Sequence, residues 1–185
     1  MTVTCPAAGA PAAPFPKLTA ETPADAAEVE ALVDRAFGPG RFVKAAERLR
    51  EGREPLRALS FVARDHSPQV GGRLVGMVRQ WSVRIGGAPS ILLGPFAVDP
   101  ANRSQGLGAM LIVKACDAAA KAGHGSILLV GDQPYFEPLG FSAAPGLIRL
   151  PGPVDPRRVL IRALRPGGAD GLAGAVTAAP VGRAS

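Results

Sequence analysis

One short segment of this sequence has the residue types and spacing to bind a phosphate. The run Arg103-Ser104-Gln105-Gly106-Leu107-Gly108-Ala109 follows an apolar stretch and opens an amphipathic one. The first turn of a helix carries free N–H groups and the positive end of the peptide dipole, so its backbone can hold an anion. Glycines let the ligand approach closely, and Arg103 would add a charge-assisted contact. The segment therefore predicts an anion site, with a plain tight turn as the alternative.

Two other phosphate-binding loops do not match this segment. A nucleoside triphosphate loop requires Gly-Lys-Ser/Thr, whereas Gly108 is followed by Ala109 and Met110. The dinucleotide fingerprint requires a third glycine where this chain has Leu111. The sequence therefore favours a diphosphate that is held mainly by backbone amides.

Three elements must position this loop. Residues 91–98 and 126–130 are apolar runs, and residues 107–122 between them have helical periodicity. Neither apolar run alternates with polar residues, which predicts two strands buried on both faces and paired in parallel across a right-handed crossover. The buried stripe of the helix is predicted to be Leu107, Leu111, Ala115, Ala118 and Ala122.

A Gly94-Pro95 pair interrupts the first of these strands. Proline cannot donate a hydrogen bond to a neighbouring strand, so the strand is expected to lose pairing near its middle. Backbone groups of Phe96, Ala97 and Val98 would then be available to a ligand. An ordinary bulge without function is the alternative.

The remaining segments complete a predicted α/β fold with a mixed sheet. Helices are expected at 22–37 and 41–50, and Gly71-Gly72 is the predicted turn between two antiparallel strands. The other predicted strands are 18–21, 59–64, 74–85, 142–150 and 159–164. The Pro/Ala-rich residues 1–16 and the Gly/Ala-rich residues 166–185 are expected to be disordered or flexible tails around one folded domain, 17–165.

The Arg103-x-x-Gly106-x-Gly108 motif, together with the later run Tyr135-Phe136-Glu137-Pro138-Leu139-Gly140-Phe141, resembles the GNAT superfamily of acetyl-CoA-dependent N-acetyltransferases. The similarity covers residues 18–164 and is strongest over 93–141. The Leu-Gly-Pro strand and the Gly-Asp-x-x-Tyr segment are similar to those of a small bacterial subgroup whose substrates are mostly unassigned.

The resemblance implies a single-domain acyl-CoA N-acyltransferase fold. Its sheet would be mixed and mostly antiparallel, with a central parallel, splayed pair of strands flanked by helices. The loop from Arg103 to Ala109 would cradle the pyrophosphate of acetyl-CoA, the cosubstrate, and the pantetheine arm would lie between the splayed strands. The acetyl group would pass to a primary amine of a small molecule or peptide in a ternary complex. A non-catalytic acyl-CoA sensor is the alternative.

The catalytic residues depart from the family pattern. Relatives often place a proton-donating tyrosine four residues before the last glycine, where this chain has Phe136. Tyr135, one residue earlier and rotated by about 100° around a helix, is the remaining candidate acid. Asp132 is expected to contact cofactor or acceptor and is one candidate base, beside Glu137 and His124. The resemblance also predicts that Asp132, Tyr135 and Phe136 contact the cofactor.

Composition excludes several other functions. Two scattered cysteines and two histidines are too few for a disulfide framework or a metal site. No run of eighteen apolar residues and no basic leader is present, which predicts a cytoplasmic protein without membrane contact. The net charge of +6 is spread along the chain without a basic helix or zinc motif, so no nucleic-acid partner is expected. A homodimer remains an open alternative.

Overall fold

The computed structural model describes residues 15–40, 45–66, 71–103 and 106–180. Within them, three helices are α1 (Ala26–Phe37), α2 (Leu107–Lys121) and α3 (Gln133–Phe136). The strands in the same residues are β1 (Lys17–Ala20), β2 (Phe61–Arg64), β3 (Leu74–Ile85), β4 (Ala88–Val98), β5 (Ser126–Val130), β6 (Ser142–Ala143), β7 (Ile148–Arg149), β8 (Val159–Ala163) and β9 (Gly174–Ala178).

The strands form a mixed sheet that is mostly antiparallel. Its order is β1-β2-β3-β4-β5-β8-β6, and β9 pairs with β3 and with β7. β4 and β5 form a parallel pair in the middle of this order, joined by α2 as the crossover helix. The predicted fold class, a mixed sheet around a central parallel pair, is confirmed.

The parallel pair parts along its length. Hydrogen-bonded pairing of β4 with β5 covers Ile91 with Ile127 and Leu92 with Leu128, although both strands continue beyond. On its other side, β4 pairs Leu93 with Gln80 and then Phe96 with Val78. Two residues, 94 and 95, therefore face one residue of β3, which is a bulge. The predicted loss of pairing at Gly94-Pro95 is confirmed.

Helices α1 and α2 cover opposite faces of the sheet. α2 buries Leu107, Leu111 and Ala115 as predicted, but Ala118 is only half-buried and Ala122 is exposed. The predicted stripe advanced by four, four, three and four residues, and at about 100° per residue the step of three returns Ala118 to the edge of the buried face next to Leu107, while Ala122 is the C-cap residue after the helix. The actual buried face is completed by Ile112, Cys116 and Ala119.

Two buried polar side chains, Gln80 and Arg79, connect the sheet to the helices on its two faces. The Gln80 side chain on β3 donates through Nε2 to the carbonyls of Leu59 (2.6 Å) and Ala115 (2.7 Å), which ties the sheet to α2. On the α1 face, the Arg79 guanidinium donates to the Glu21 carboxylate at 2.8–3.2 Å and also to Glu30. The Glu21 side chain has no solvent exposure, so this pair stabilises the junction of β1, β3 and α1 only while it stays intact.

Two predicted elements are wrong in extent. Within the described part of 41–50, the structure has only a short 3-10 turn, Glu47–Leu49; residues 41–44 lie outside the described residues. The predicted strand 142–150 is instead the two-residue strands β6 and β7. Pro145 and Gly146 lie between them, and proline and glycine interrupt a strand.

The C-terminal region also differs from the prediction of a flexible tail over 166–185. Residues 174–178 form β9, which pairs Val83 with Ala178 and Ile85 with Val176 on β3. The Val176 side chain is 1% exposed in the core, and Arg53 donates to the Ala179 carbonyl. Burial of Val176 and backbone pairing with the long strand β3 explain why residues 174–178 form a strand. Residues 1–14 and 181–185 lie outside the described residues.

Among the described residues, no helix is long and apolar enough to cross a membrane.

Candidate active site

A cleft of about 810 Å³ opens where β4 and β5 part. Its walls come from both strands and from segments that follow them in the sequence. The lining side chains and backbone segments are Val33, Phe37, Ala45, Ala46, Glu47, Arg50, Leu93, Gly94, Pro95, Phe96, Arg103, Leu129, Val130, Gly131, Asp132, Tyr135, Phe136, Pro153, Val154, Asp155 and Arg158. We call the part near Arg103, Phe96 and Tyr135 the α2 end, and the part near Glu47, Arg50, Asp155 and Arg158 the roof end.

The start of α2 lies beside the α2 end of the cleft, because Gly108 packs against Tyr135 and Phe96, although Gly106, Leu107, Gly108 and Ala109 are not among the residues that line the cleft. Gly106 is the N-cap residue with φ of 75°, a left-handed conformation that glycine adopts readily, and among the described residues no side chain caps the helix. Leu107 is buried, so only its backbone could face a ligand, whereas Gly108 and Ala109 are half-buried. The predicted contacts Ser104 and Gln105 lie outside the described residues. The first turn therefore offers backbone donors of the kind that hold an anion.

Arg103 lies at the exposed edge of the same end. Its Nε donates to the Val98 carbonyl at 3.4 Å, and its guanidinium lines the cleft. The short turn Pro100–Asn102 between β4 and Arg103 is held by Asp99, whose side chain accepts from the Ala101 N–H at 3.0 Å. A further ion pair from Arg73 reaches Asp99 at 3.4 Å. These contacts fix the direction in which the chain enters the loop.

Tyr135 lies across the α2 end. Its ring stacks on Phe96 with centroids 6.2 Å apart, and Phe136 meets it edge-on at 4.9 Å. A β-carbon built on Gly108 would overlap the Tyr135 hydroxyl oxygen and would lie 2.9 Å from Cζ of Phe96. Burial raises the pKa of Tyr135 above its ordinary value. The tyrosine therefore keeps its proton beside the start of α2.

Phe136 points into the core rather than along the cleft. It is 8% exposed and packs edge-on against Phe141 at 5.8 Å and closely against Gly131. Only a small part of its surface can reach the cleft. Of the β4 residues predicted to contact a ligand, Phe96 and Val98 are half-buried, whereas Ala97 is buried beneath α1 and offers only its backbone.

Asp132 follows β5 directly and lies at the cleft wall. Its side chain is 75% exposed and pairs with Arg158 at 3.3 Å. Its backbone carbonyl accepts from the Tyr135 N–H at 3.0 Å, which begins α3 and sets where the tyrosine lies. The other two candidate bases, Glu137 and His124, are not among the described residues that line the cleft; burial lowers the pKa of His124.

The roof end was not predicted residue by residue. Two segments, 45–50 and 150–155, meet there because Arg48 donates to the Pro151 carbonyl at 3.1 Å and Gly152 lies beside Ala45. We call these two segments the roof. Glu47 and Arg50 form an ion pair at 3.1 Å with side chains only 22% and 12% exposed. They are about a hundred residues from Asp155 and Arg158 in the sequence, so no local pattern could have united them.

A splayed parallel pair with an uncapped helix start at its opening defines a class of protein. The chain belongs to the acetyltransferase (GNAT) family, whose family model matches residues 27–141.

Individual relatives agree with this assignment. The uncharacterized N-acetyltransferase YhbS of Escherichia coli K12 is 30% identical over 126 residues, which cover 67% of this chain and 72% of that protein. The crystal structure of E. coli YhbS in complex with CoA has a TM-score of 0.77 at 25% identity and covers 94% of both chains. A GNAT family acetyltransferase from Brucella melitensis in complex with acetyl-CoA has a TM-score of 0.66 at 26% identity, covering 89% of this chain and 96% of that one.

Proposed function

We propose that this protein is an N-acetyltransferase that moves an acetyl group from acetyl-CoA to a primary amine by direct attack in a ternary complex. The observation that carries the proposal is the cleft between the parted ends of β4 and β5, which has the start of α2 beside its lining residues Phe96 and Tyr135 and is also lined by the charged residues Glu47, Arg50, Asp155 and Arg158. The CoA complex of E. coli YhbS and the acetyl-CoA complex of the Brucella protein support acetyl-CoA as the cosubstrate.

The α2 end is the proposed site for the cosubstrate. Backbone N–H groups of residues 104–109 would hold the diphosphate, and Arg103 would add its charge. Gly108 suits this role because the space beside its backbone is already narrowed by Tyr135 and Phe96, and any side chain at 108 would fill it. The backbone of Phe96, Ala97 and Val98, beyond the last parallel pairing, would face the extended arm of the ligand.

The reaction requires the protein mainly to position the two reactants and to transfer protons. Bound acetyl-CoA supplies a thioester: the amine nitrogen bonds to its carbonyl carbon, the carbon–sulfur bond breaks, and the nitrogen loses one proton. We propose that Asp132 receives the amine proton through water and that Tyr135 returns a proton to the leaving sulfur. The Tyr135 hydroxyl lies beside Gly108 in this structure, so this second role requires the side chain to turn along the cleft towards the thioester. Holding both reactants at attack distance would supply much of the rate.

A non-catalytic acyl-CoA sensor is the second candidate. The burial of Phe136 favours it, because relatives often carry a proton-donating tyrosine at that position and a phenylalanine in the core cannot replace it.

Calorimetry with acetyl-CoA and a thiol assay for CoA release distinguish the two candidates. The transferase predicts binding of acetyl-CoA and release of CoA that depends on an added primary amine. Binding without release across a broad panel of amines would favour the sensor, and no heat on adding acetyl-CoA would overturn both. Arg103→Gln should weaken binding by about fivefold, whereas Arg84→Gln, an exposed arginine outside the cleft, should bind as the wild type does.

A further inference from the structure

We propose that the acceptor is a small amino acid with an apolar side chain, bound at the roof end by its ammonium group at Glu47 and by its carboxylate at Arg158. This inference rests on the proposed function and names the substrate class for it. Both residues line the same cleft, where Glu47 pairs with Arg50 and Arg158 pairs with Asp132, the proposed base.

The volume of the cleft favours a small acceptor. About 810 Å³ is within the range of small-molecule sites, roughly 300–1,000 Å³. The same space must also take the end of the cosubstrate arm, so the volume that is left suits a small molecule. The roof closes one side of this cleft, because the contacts of Arg48 with the Pro151 carbonyl and of Gly152 with Ala45 join the two roof segments.

The apolar part of the acceptor follows from the apolar residues that line the same cleft. These residues are Val33, Phe37, Ala45, Ala46, Pro153 and Val154. Burying an aliphatic or aromatic side chain against them is favourable in proportion to the apolar area that is removed from water. A strongly polar acceptor would gain nothing from these contacts.

The charges of the roof end favour a group that carries both signs. Glu47 pairs with Arg50 at 3.1 Å, and Asp132 pairs with Arg158 at 3.3 Å. A polyamine would meet both arginines, and a dianion would meet both carboxylates, so each would be opposed by half of the site. An ammonium with a nearby carboxylate can instead exchange into both pairs without leaving a net charge.

Arg158 is the better partner for the carboxylate. Its side chain is 51% exposed, and its ion pair with Asp132 at 3.3 Å is open to solvent. Replacing Asp132 by the carboxylate of the acceptor therefore costs little free energy. Glu47 is the better partner for the ammonium because its side chain is only 22% exposed, and a charge pair is stronger where water is partly excluded.

Three related amines test the inference at saturating acetyl-CoA: L-leucine, L-leucinamide and 3-methylbutylamine. We expect kcat/KM for CoA release to be at least about tenfold higher with L-leucine than with the other two, since one charge-assisted contact is lost in each. The amine of L-leucinamide is less basic than that of L-leucine, so a larger fraction of it is neutral and able to attack. A preference for L-leucine therefore cannot result from the basicity of its amine.

Variants with matched controls assign the preference to residues. Arg158→Gln should remove most of the preference for L-leucine over L-leucinamide, whereas Arg149→Gln, an exposed arginine outside the cleft, should keep it. Glu47→Gln should raise KM for all three amines by about fivefold, and Glu51→Gln, exposed one turn away, should not.

Equal release from all three amines, or equal behaviour of Arg158→Gln and Arg149→Gln, would overturn this inference and leave the proposed transferase standing. Release from other primary amines but from none of these three would do the same. No release from any amine, or no binding of acetyl-CoA, would overturn both.

Discussion

The hydroxyl group of Tyr135 lies beside the backbone of Gly108 at the start of α2, so near that a β-carbon at position 108 would overlap it. This contact joins the segment after β5 to the helix after β4, across the opening between the two strands. The same opening is the proposed entrance for acetyl-CoA.

Gly108→Ala should weaken acetyl-CoA binding without unfolding the protein. Alanine is favoured over glycine within a helix by about 1 kcal/mol, which offsets the displacement of the Tyr135 side chain. The added methyl group would nonetheless fill the space at the first turn, so calorimetry should show about a tenfold higher Kd. The double variant with Tyr135→Phe should recover part of this loss. Wild-type affinity in Gly108→Ala would contradict the proposed position of the diphosphate.

Tyr135→Phe should lower kcat while leaving KM for acetyl-CoA within about twofold, because the ring that stacks on Phe96 remains. Loss of a general acid costs up to about a hundredfold, and less where the leaving thiolate is already stable. Burial raises the pKa of Tyr135 above 10.0, and the donor is the protonated form below that pKa. The wild-type pH profile of kcat should therefore have no descending limb below pH 10.0 from this group. An unchanged kcat would remove Tyr135 from the mechanism.

The Arg64 cluster should make the protein more stable above pH 4 than below it. Arg64 contacts Asp25 at 2.6 Å and Glu28 at 2.7 Å. Burial raises the pKa of Asp25, but hydrogen bonds from Arg64 and Thr22 outweigh it, and the Arg64 hydrogen bond lowers the pKa of Glu28. Because both folded pKa values are lowered, the stabilisation is present above the unfolded values of 3.8 and 4.5 and is lost as pH falls through the folded ones.

Urea titrations at several pH values measure this effect. Arg64→Met should flatten the decline of unfolding free energy between about pH 5 and pH 2, since the two carboxyls then titrate near their unfolded values. An equally steep decline in that variant would show that other carboxyls cause it.

Glu21→Gln should destabilise the fold by roughly 3 kcal/mol, because it removes the fully buried charged partner of the Arg79 guanidinium, which is 8% exposed, and leaves it only the partly exposed Glu30. Glu54→Gln is the matched control: Glu54 also pairs with Arg57, but its side chain is 81% exposed, so the change should stay within about 0.5 kcal/mol. Equal midpoints of urea unfolding for the two variants would contradict a structural role for the Glu21–Arg79 pair.

Val176→Ala should lower the unfolding free energy by roughly 1–3 kcal/mol, because the side chain is buried in the core. Thr177→Ala, on the exposed face of β9, should change it by less than about 0.5 kcal/mol. A thermal unfolding scan of both variants is sufficient. If Val176→Ala melts with the wild type, residues 174–178 do not contribute to the sheet as described.

The sequence predicted the central β-α-β unit well because its signals are local. The helix was predicted at 107–122 and found at Leu107–Lys121, and the strand Ser126–Val130 was predicted at its observed bounds. Proline chemistry at Gly94-Pro95 was enough to predict where β4 loses pairing. β9 was missed because it carries one large apolar residue, Val176, within a Gly/Ala-rich region. Its strand conformation depends on β3, about ninety residues away.

The same distinction holds within the cleft. The loop from Arg103 to Ala109 was predicted as an anion site from its own spacing, and this stays a prediction. The phenylalanine at position 136, where relatives often have a tyrosine, could be read directly from the sequence. The presence of two ion pairs in one cleft could not be predicted from the sequence. The Glu47–Arg50 pair and the Asp132–Arg158 pair are far apart in the sequence and line the same cleft only after the chain has folded. Long-range ion pairs such as Glu21–Arg79, which are 58 residues apart, leave no periodic signal either.

The roof has a consequence for how proteins built on this plan can diversify. Its segments, 45–50 and 150–155, meet through a loop carbonyl and a glycine, and they lie outside β4, β5 and the start of α2. If the proposed sites are correct, substitutions in these segments would change which acceptor is bound and would leave the residues proposed to bind acetyl-CoA unchanged. Acceptor choice and acyl-donor binding would then be two traits of one small domain that can change separately.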